Sequence, residues 1–227
     1  MASMSAPALP PEPGPHEPTA QTDGRRASRE RNRLAVVDAL LDLYAEGNLR
    51  PDAQEVAERS GVSRRSVFRY FDDRDDLDRT AIERQQQRVW HLVEIVNVGE
   101  GPLADRIARI AEQRVALFRE VGPAARVSRL RAPFHPVIAE QLEQSRQLYA
   151  LQVDFQFAPE LGALDPAART ETLAAADAIC SFETYDFLRA RGLDPAAIAG
   201  VMCRGLAGLF AGSLSGHAGN PGNRLLE

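Results

Sequence analysis

Arg64, Arg65 and Arg69 lie close together, with Ser63, Ser66 and Tyr70 beside them. An arginine fork can hold guanine O6 and N7 through two parallel hydrogen bonds, worth about 1–3 kcal/mol of discrimination against the wrong base. Neighbouring hydroxyls can donate to phosphates and fix the register of a reader on the duplex. Such chemistry needs the cations on one outward face of a rigid element. The surrounding residues, Gln54-Glu55-Val56-Ala57-Glu58-Arg59-Ser60-Gly61-Val62-Ser63-Arg64-Arg65-Ser66-Val67-Phe68-Arg69-Tyr70-Phe71, describe one. They read as two short helices meeting at a glycine. Ala57 must be small because the second helix crosses close against the first. Gly61 can take the left-handed backbone that a tight turn requires. Val62 and Val67 plug the space between the helices, and Asp52 and Ser63 suit the two N-caps. The spacing is that of a helix-turn-helix, whose second helix enters the major groove.

Charge follows the motif. The chain of 227 residues has a formal net charge of −5, which excludes a wholesale basic coat for nucleic acid. Residues 25–70 hold ten arginines against seven acids, a net of +3. Residues 71–227 hold seventeen arginines against twenty-two acids, a net of −5, and the first 24 residues add −3. All 27 basic residues are arginine. At 6% aromatic, the chain also lacks the material for a broad base-stacking platform.

The head resembles the TetR-type bacterial transcriptional regulators over about Arg31 to Ile82. The resemblance rests on Tyr44-Ala45-Glu46-Gly47, on Val56-Ala57-Glu58-Arg59-Ser60-Gly61-Val62-Ser63, and on Val67-Phe68-Arg69-Tyr70-Phe71 followed by Arg74 and Leu77. It implies an all-α chain with an N-terminal three-helix DNA-binding domain and a C-terminal helical domain that binds a small molecule and dimerises. By position it implies that Arg64, Arg65, Ser66 and Arg69 read bases and that Tyr70 and Arg74 grip phosphate, with Ser63 beside them. Three residues depart from the family pattern. Phe68 stands where tyrosine is usual and so lacks a hydroxyl. Asp52 stands where serine or threonine is usual; it should cap well but repel DNA. Asn48 replaces an aromatic, so its turn must pack differently, with Leu49 a candidate substitute.

The remaining elements divide the chain into a disordered tail at 1–24, the DNA-binding domain at 25–77, a regulatory and dimerisation domain at 78–216, and a loose tail at 217–227. The first 24 residues hold six of the fifteen prolines and no apolar period. From Ser28, a plausible cap, Leu34, Val37, Leu41 and Tyr44 recur at helical spacing up to Gly47. The acids Asp72, Asp73, Asp75 and Asp76 suit the positive end of a long helix reaching about Val98. Leu103 to Val121 reads as another helix, followed by a region broken by Pro123, Pro133 and Pro136. Ile138, Leu142 and Tyr149 mark a helix ending before Pro159. A final pair, Pro166 to Arg189 and Pro195 to about Gly216, opens at two Asp-Pro steps.

Other chemistry is sparse. Cys180 and Cys203 match no zinc spacing and read as small hydrophobes in a reducing compartment. The histidines at 16, 91, 135 and 217 never fall three or four apart, the spacing that sets two ligands on one helix face. Gly212-Ser213-Leu214-Ser215-Gly216 has leucine where a nucleophile elbow needs serine. No catalytic constellation, cofactor loop or metal set is found, so an enzyme is not expected. The long uncharged stretch at 196–216 carries Arg204 near its middle and reads as a buried helix, not a membrane span. No signal peptide is seen.

Asp177, in an otherwise apolar run, reads as facing solvent, with a pocket or interface group as the alternative. Trp90, Phe118, Phe134, His135 and Tyr149 are the candidate pocket residues. Ile179, Phe182, Gly208 and Gly212 are the candidate dimer contacts, because glycines four apart permit close helix approach. The long helix from Arg74 is the one element expected to link head and body. These readings describe a cytoplasmic bacterial regulator, nucleoid-associated when bound. It would be a homodimeric repressor on a palindromic double-stranded operator, released by a small, largely apolar inducer and needing no cofactor. The alternative is a helical dimer working through protein contacts, or a helical enzyme, with a vestigial helix-turn-helix.

Overall fold

The computed structural model describes residues 20–217, with side chains described at 24–73 and 75–212. The first nineteen residues, the last ten, and the side chain of Arg74 lie outside the described residues. The chain is all-α, without a strand among the described residues. In order, α1 spans Ala20–Ala45, α2 Ala53–Ser60, α3 Arg64–Tyr70, α4 Arg74–Val93 and α5 Leu103–Arg131. A 3-10 turn at Ala132–Phe134 leads to α6 at Pro136–Gln156, α7 at Ala158–Gly162, α8 at Pro166–Ile179, α9 at Phe182–Ala190 and α10 at Pro195–His217.

The head closes on one core. Val36, Val37, Leu40 and Tyr44 from α1 meet Val56 and Ala57 from α2, Val67 and Tyr70 from α3, and Ala81 from α4. Local signals place each boundary. Asp52 accepts from the amides of Gln54 and Glu55 while Glu55 reaches back to the Asp52 amide, a full capping box. Gly61 ends α2 at φ 71°, the left-handed region that favours glycine, and Ser63 caps α3. At the departure from the family pattern, Asn48 donates to Glu55 and Leu49 packs against the head core.

Four expectations are corrected. First, α1 begins at Ala20, not at Ser28. Residues 20–31 are mostly alanine, arginine and polar helix-tolerant residues, and the apolar stripe simply starts later than the helix. Second, α4 stops at Val93 rather than near Val98, because Asn97, Gly99 and Gly101 take positive φ in the loop that follows. Third, Pro123 does not break the chain. It sits inside the 29-residue α5, whose packing on α1, α4, α6, α9 and α10 outweighs one missing amide. As a result the end of α5 reaches the head: Val127 joins the head core and Arg131 pairs with Asp78 of α4. Head and body are therefore linked by two helices, not one. Fourth, the expected helix at 166–189 is two, divided at Cys180, with Ser181 capping α9.

The body packs α5 centrally against α6, α9 and α10, and α8 lies against α6 and α10. Phe118 touches Tyr149, Phe182 and Tyr185 with ring centroids 5.9, 5.6 and 5.8 Å away. Ile198, Met202, Leu206 and Phe210 form the buried stripe of α10. The rest of α10 is not buried by its own chain: only 22% of Pro195–Gly212 is, although that stretch is long and apolar enough to cross a membrane. The expectation of a buried helix fails because its other faces, mostly small residues with Arg204, stay exposed, and a Cβ at Gly208 or Gly212 would meet nothing within 4 Å.

Candidate nucleic-acid interface and central cavity

Two groups of arginines stand out in the head. Arg33 pairs with Asp76, Arg59 with Glu46 at 2.7 Å, Arg84 with Asp38 at 2.7 Å, and Arg88 with Asp38 and Asp42. The Arg84 hydrogen bonds, with the charges of Arg84 and Arg88, hold the Asp38 carboxyl below its ordinary range against the effect of burial. These pairs fix α1 to α2 and α4. Arg64, Arg65 and Arg69 are exposed and have no ion pair among the described residues. They project from α3 together with Phe68, which is 66% exposed. Ser63 and Ser66 hydroxyls sit 2.9 Å apart at the start of α3, and Arg69 lies within reach of Ser66 at 3.4 Å.

Tyr70 differs from its expected place as an outward phosphate donor. Its ring is buried in the head core, and its hydroxyl accepts from Asn32 Nδ2 at 3.1 Å. That bond, with the nearby Arg69 guanidinium, holds the hydroxyl below its ordinary value despite burial. The hydroxyl opens on a cleft of about 360 Å³ lined by Arg25, Ser28, Arg29, Asn32, Arg69 and Tyr70. Arg25 and Arg29 have no ion pair among the described residues. The sequence reading missed these α1 residues. Their spacing of three, four and seven marks one helix face, but that face becomes visible only once α1 is extended upstream of Ser28.

The body holds a half-open cavity of about 1020 Å³, with Trp90 exposed at its mouth. It runs along α4 from Asp78 to Val93, roughly 22 Å at 1.5 Å per residue. Its walls reach from Leu41 and Tyr44 of the head to Asp177, Ser181 and Phe182 at the α8–α9 junction. Of the expected pocket residues, Trp90, Phe118 and Tyr149 line it. Phe134 and His135 do not. Phe134 is 80% exposed because the 3-10 turn directs it outward. Asp177 lies in the cavity wall, half-buried, and not out in solvent as expected. Of the expected dimer contacts, Phe182 is buried against Phe118 and Ile179 packs partly buried against the body core, so both belong to the chain's own packing. Gly208 and Gly212 remain open: a Cβ at either would meet nothing within 4 Å.

Other groups are structural. Cys180 is buried, and burial pushes its thiol up to about 12, which leaves it unreactive. Arg106, 5% exposed at its side chain, binds Glu160 through two nitrogens and also reaches the carbonyls of Gly101 and Gln156. His135 comes near Asp75 and Asp78, one potential ligand atom of each lying within 4.8 Å of the others. Asp78 already meets Arg131 with both oxygens, so the cluster ties α4 to α5.

No family model matches the chain, and no curated protein does. Among solved structures, a transcriptional regulator from Rhodococcus sp. Rha1 has a similar fold, with a TM-score of 0.61 over 82% of this chain and 97% of that one. The two are 19% identical, so the likeness is one of fold.

Proposed function

We propose that the chain is a DNA-binding transcriptional regulator of the TetR type, a homodimeric repressor that reads a palindromic operator and is released by a small molecule in the central cavity. The observation that carries the reading is the sorting of arginines in the head. Arg33, Arg59, Arg84 and Arg88 are paired with acids. Those on α3, and on the α1 face above it, are left without one. An unpaired arginine stripe on the second helix of a helix-turn-helix is suited to a polyanion with base edges to read. Phe68 adds an exposed apolar group that can meet a thymine methyl. The fold shared with a protein described as a transcriptional regulator agrees with this.

The dimer is supported by α10, whose open face offers alanine and glycine at a spacing that lets two helices approach closely. A single helix-turn-helix reads few base pairs, and a two-fold pair reads a palindrome about one turn apart. Release is supported by the cavity walls, which include residues of both linking helices and of α1. A ligand there that favours one arrangement of α4 and α5 changes the spacing of the two heads. A coupling of about 1–3 kcal/mol, roughly 5–150-fold, is usual for such switches.

The test is binding to DNA from upstream of the protein's own coding region, followed by fluorescence anisotropy across a salt series. Affinity should fall steeply with salt. Arg64→Ala combined with Arg69→Ala should lower specific affinity by at least about thirtyfold, taking about 1 kcal/mol per base contact as a floor. Unchanged binding overturns the assignment.

A further inference from the structure

We propose that the cavity takes an organic cation: a bulky apolar body bearing one protonated amine, whose N–H groups donate to Asp177. This rests on the reading of the cavity as an effector site and names the ligand class it would accept.

The cavity falls at the upper end of the range for drug-sized ligands. Most of its wall is apolar, including Val89, Phe118, Val121 and Leu142. The charges that reach it are largely matched within the chain. Arg131 is paired with Asp78, and Arg129 and Arg146 share Glu183 at 2.9 and 3.5 Å. Glu83 is exposed to water. Asp177 is the half-buried exception, a carboxylate in the wall with no hydrogen bond and no ion pair among the described residues.

Its surroundings make that vacancy chemically selective. Burial, with the nearby Glu183, holds the Asp177 carboxyl above its ordinary value on balance, and the Arg114 charge pulls against that rise. Arg114 approaches from behind the wall and does not donate to Asp177. Its two Nη groups donate to Gln113, Gln152 and the carbonyl of Tyr149, its Nε finds no partner among the described residues, and its guanidinium stacks on the Tyr149 ring at 4.8 Å. Arg114 therefore favours an ionised Asp177 without occupying its oxygens. An ionised carboxylate only accepts hydrogen bonds. A ligand group placed against it must donate, and a cationic donor also relieves the cost of the half-buried charge. An acidic ligand meets the opposite situation: every arginine in the wall is already engaged, so an existing ion pair would have to open.

The experiment uses three matched probes on the full-length protein without DNA: diphenylpropylamine, the corresponding alcohol and the corresponding carboxylic acid. Binding is followed by calorimetry and by the fluorescence of Trp90, the one tryptophan, which lines the cavity. The amine should bind about tenfold or more tightly than either partner. Asp177→Asn should remove that preference while leaving the alcohol's affinity unchanged. Equal affinity for amine and acid in the wild-type protein, which requires no variant to fold, overturns the inference, as does a preference that survives Asp177→Asn. Operator affinity is then measured with and without the amine. Asp177-dependent binding without any change in operator affinity keeps the ligand class and removes the switch. Intact operator binding with no amine preference removes the ligand class and keeps the regulator.

Discussion

The head and the body treat charge in opposite ways. In the head, Arg33, Arg59, Arg84 and Arg88 are tied to acids, while Arg25, Arg29, Arg64, Arg65 and Arg69, on α3 and the neighbouring face of α1, have no ion pair among the described residues. In the body, Arg106, Arg126, Arg129, Arg131, Arg146 and Arg169 all find carboxylates. Arg109 and the buried Arg114 meet neutral acceptors instead, and the half-buried charge with neither an ion pair nor a hydrogen bond among the described residues is an acid, Asp177. On the proposed reading, one surface suits a large polyanion and the other a small cation. The chain's net charge of −5 hides both.

The largest expected effect lies where the body uses charge for stability alone. Arg106→Ala leaves the half-buried Glu160 without its cation, and losing charged hydrogen bonds of this kind costs about 1.5–3 kcal/mol. Thermal unfolding should show the drop. Burial alone would raise the Glu160 carboxyl, but hydrogen bonds and charge from Arg106 hold it below its ordinary value. A lowered carboxylate contributes stability that is present above the unfolded value of 4.5 and disappears as pH falls through the folded one. The wild type should therefore lose stability over that acid window, and Arg106→Ala should lose less of it. A variant as stable as wild type at neutral pH would show the pair to be dispensable.

The second effect separates the open face of α10 from the packed core beneath it. Gly212→Arg adds a side chain where nothing lies within 4 Å, so the protomer should fold unchanged. If α10 is the interface, that arginine meets its two-fold counterpart at close range. Light scattering at micromolar concentration should then report monomer, with operator affinity falling because one head reads too short a site. A dimer that tolerates the substitution places the interface elsewhere.

What the sequence revealed follows the same division. Asp52, Gly61 and Ser63 were legible because caps and turns are decided within a few residues. Ala57 and Val67 were legible because one crossing geometry fixes them. Pro123 misled because the packing that carries α5 through it comes from helices distant in sequence. Phe182 was read as a dimer contact because an apolar helical residue looks alike in a core and at an interface. Asp177 was assigned to solvent because the cavity beside it is made by α4, α5, α6, α8 and α9 together. The α1 cleft was missed through a boundary error: with α1 begun at Ser28, Arg25 had no face to belong to.

That cleft gives the third prediction. If Arg25 and Arg29 hold phosphates while Arg64 and Arg69 read bases, Arg25→Ala with Arg29→Ala should weaken specific and unrelated DNA alike. The slope of log affinity against log salt should shrink by about two, one per contact. The α3 variants should instead lose affinity mainly for the specific site. A double α1 variant that keeps the full salt slope removes the cleft from the interface.

The smallest effect concerns the acid that stands against the pattern of the head. Asp52 is exposed at the N-cap of α2, where the resemblance places a phosphate. Asparagine caps a helix about as well as aspartate, so Asp52→Asn should keep α2 while removing a charge that repels DNA. Some favourable interaction with the helix dipole is lost, about 0.3–1 kcal/mol. Stability should therefore fall slightly while DNA affinity rises by about two- to threefold at low salt. The gain should fade as salt rises, because exposed charges more than about 8–10 Å apart are screened near physiological ionic strength. Asp52→Ala separates the two roles: it removes the same charge and also the cap, costing about 1 kcal/mol of stability. If both variants bind DNA more tightly and only alanine is markedly destabilised, Asp52 is a cap that weakens the head's grip. If neither changes DNA affinity, the duplex passes clear of the α2 N-terminus, and the register implied by the resemblance must be redrawn around α3 and the α1 cleft.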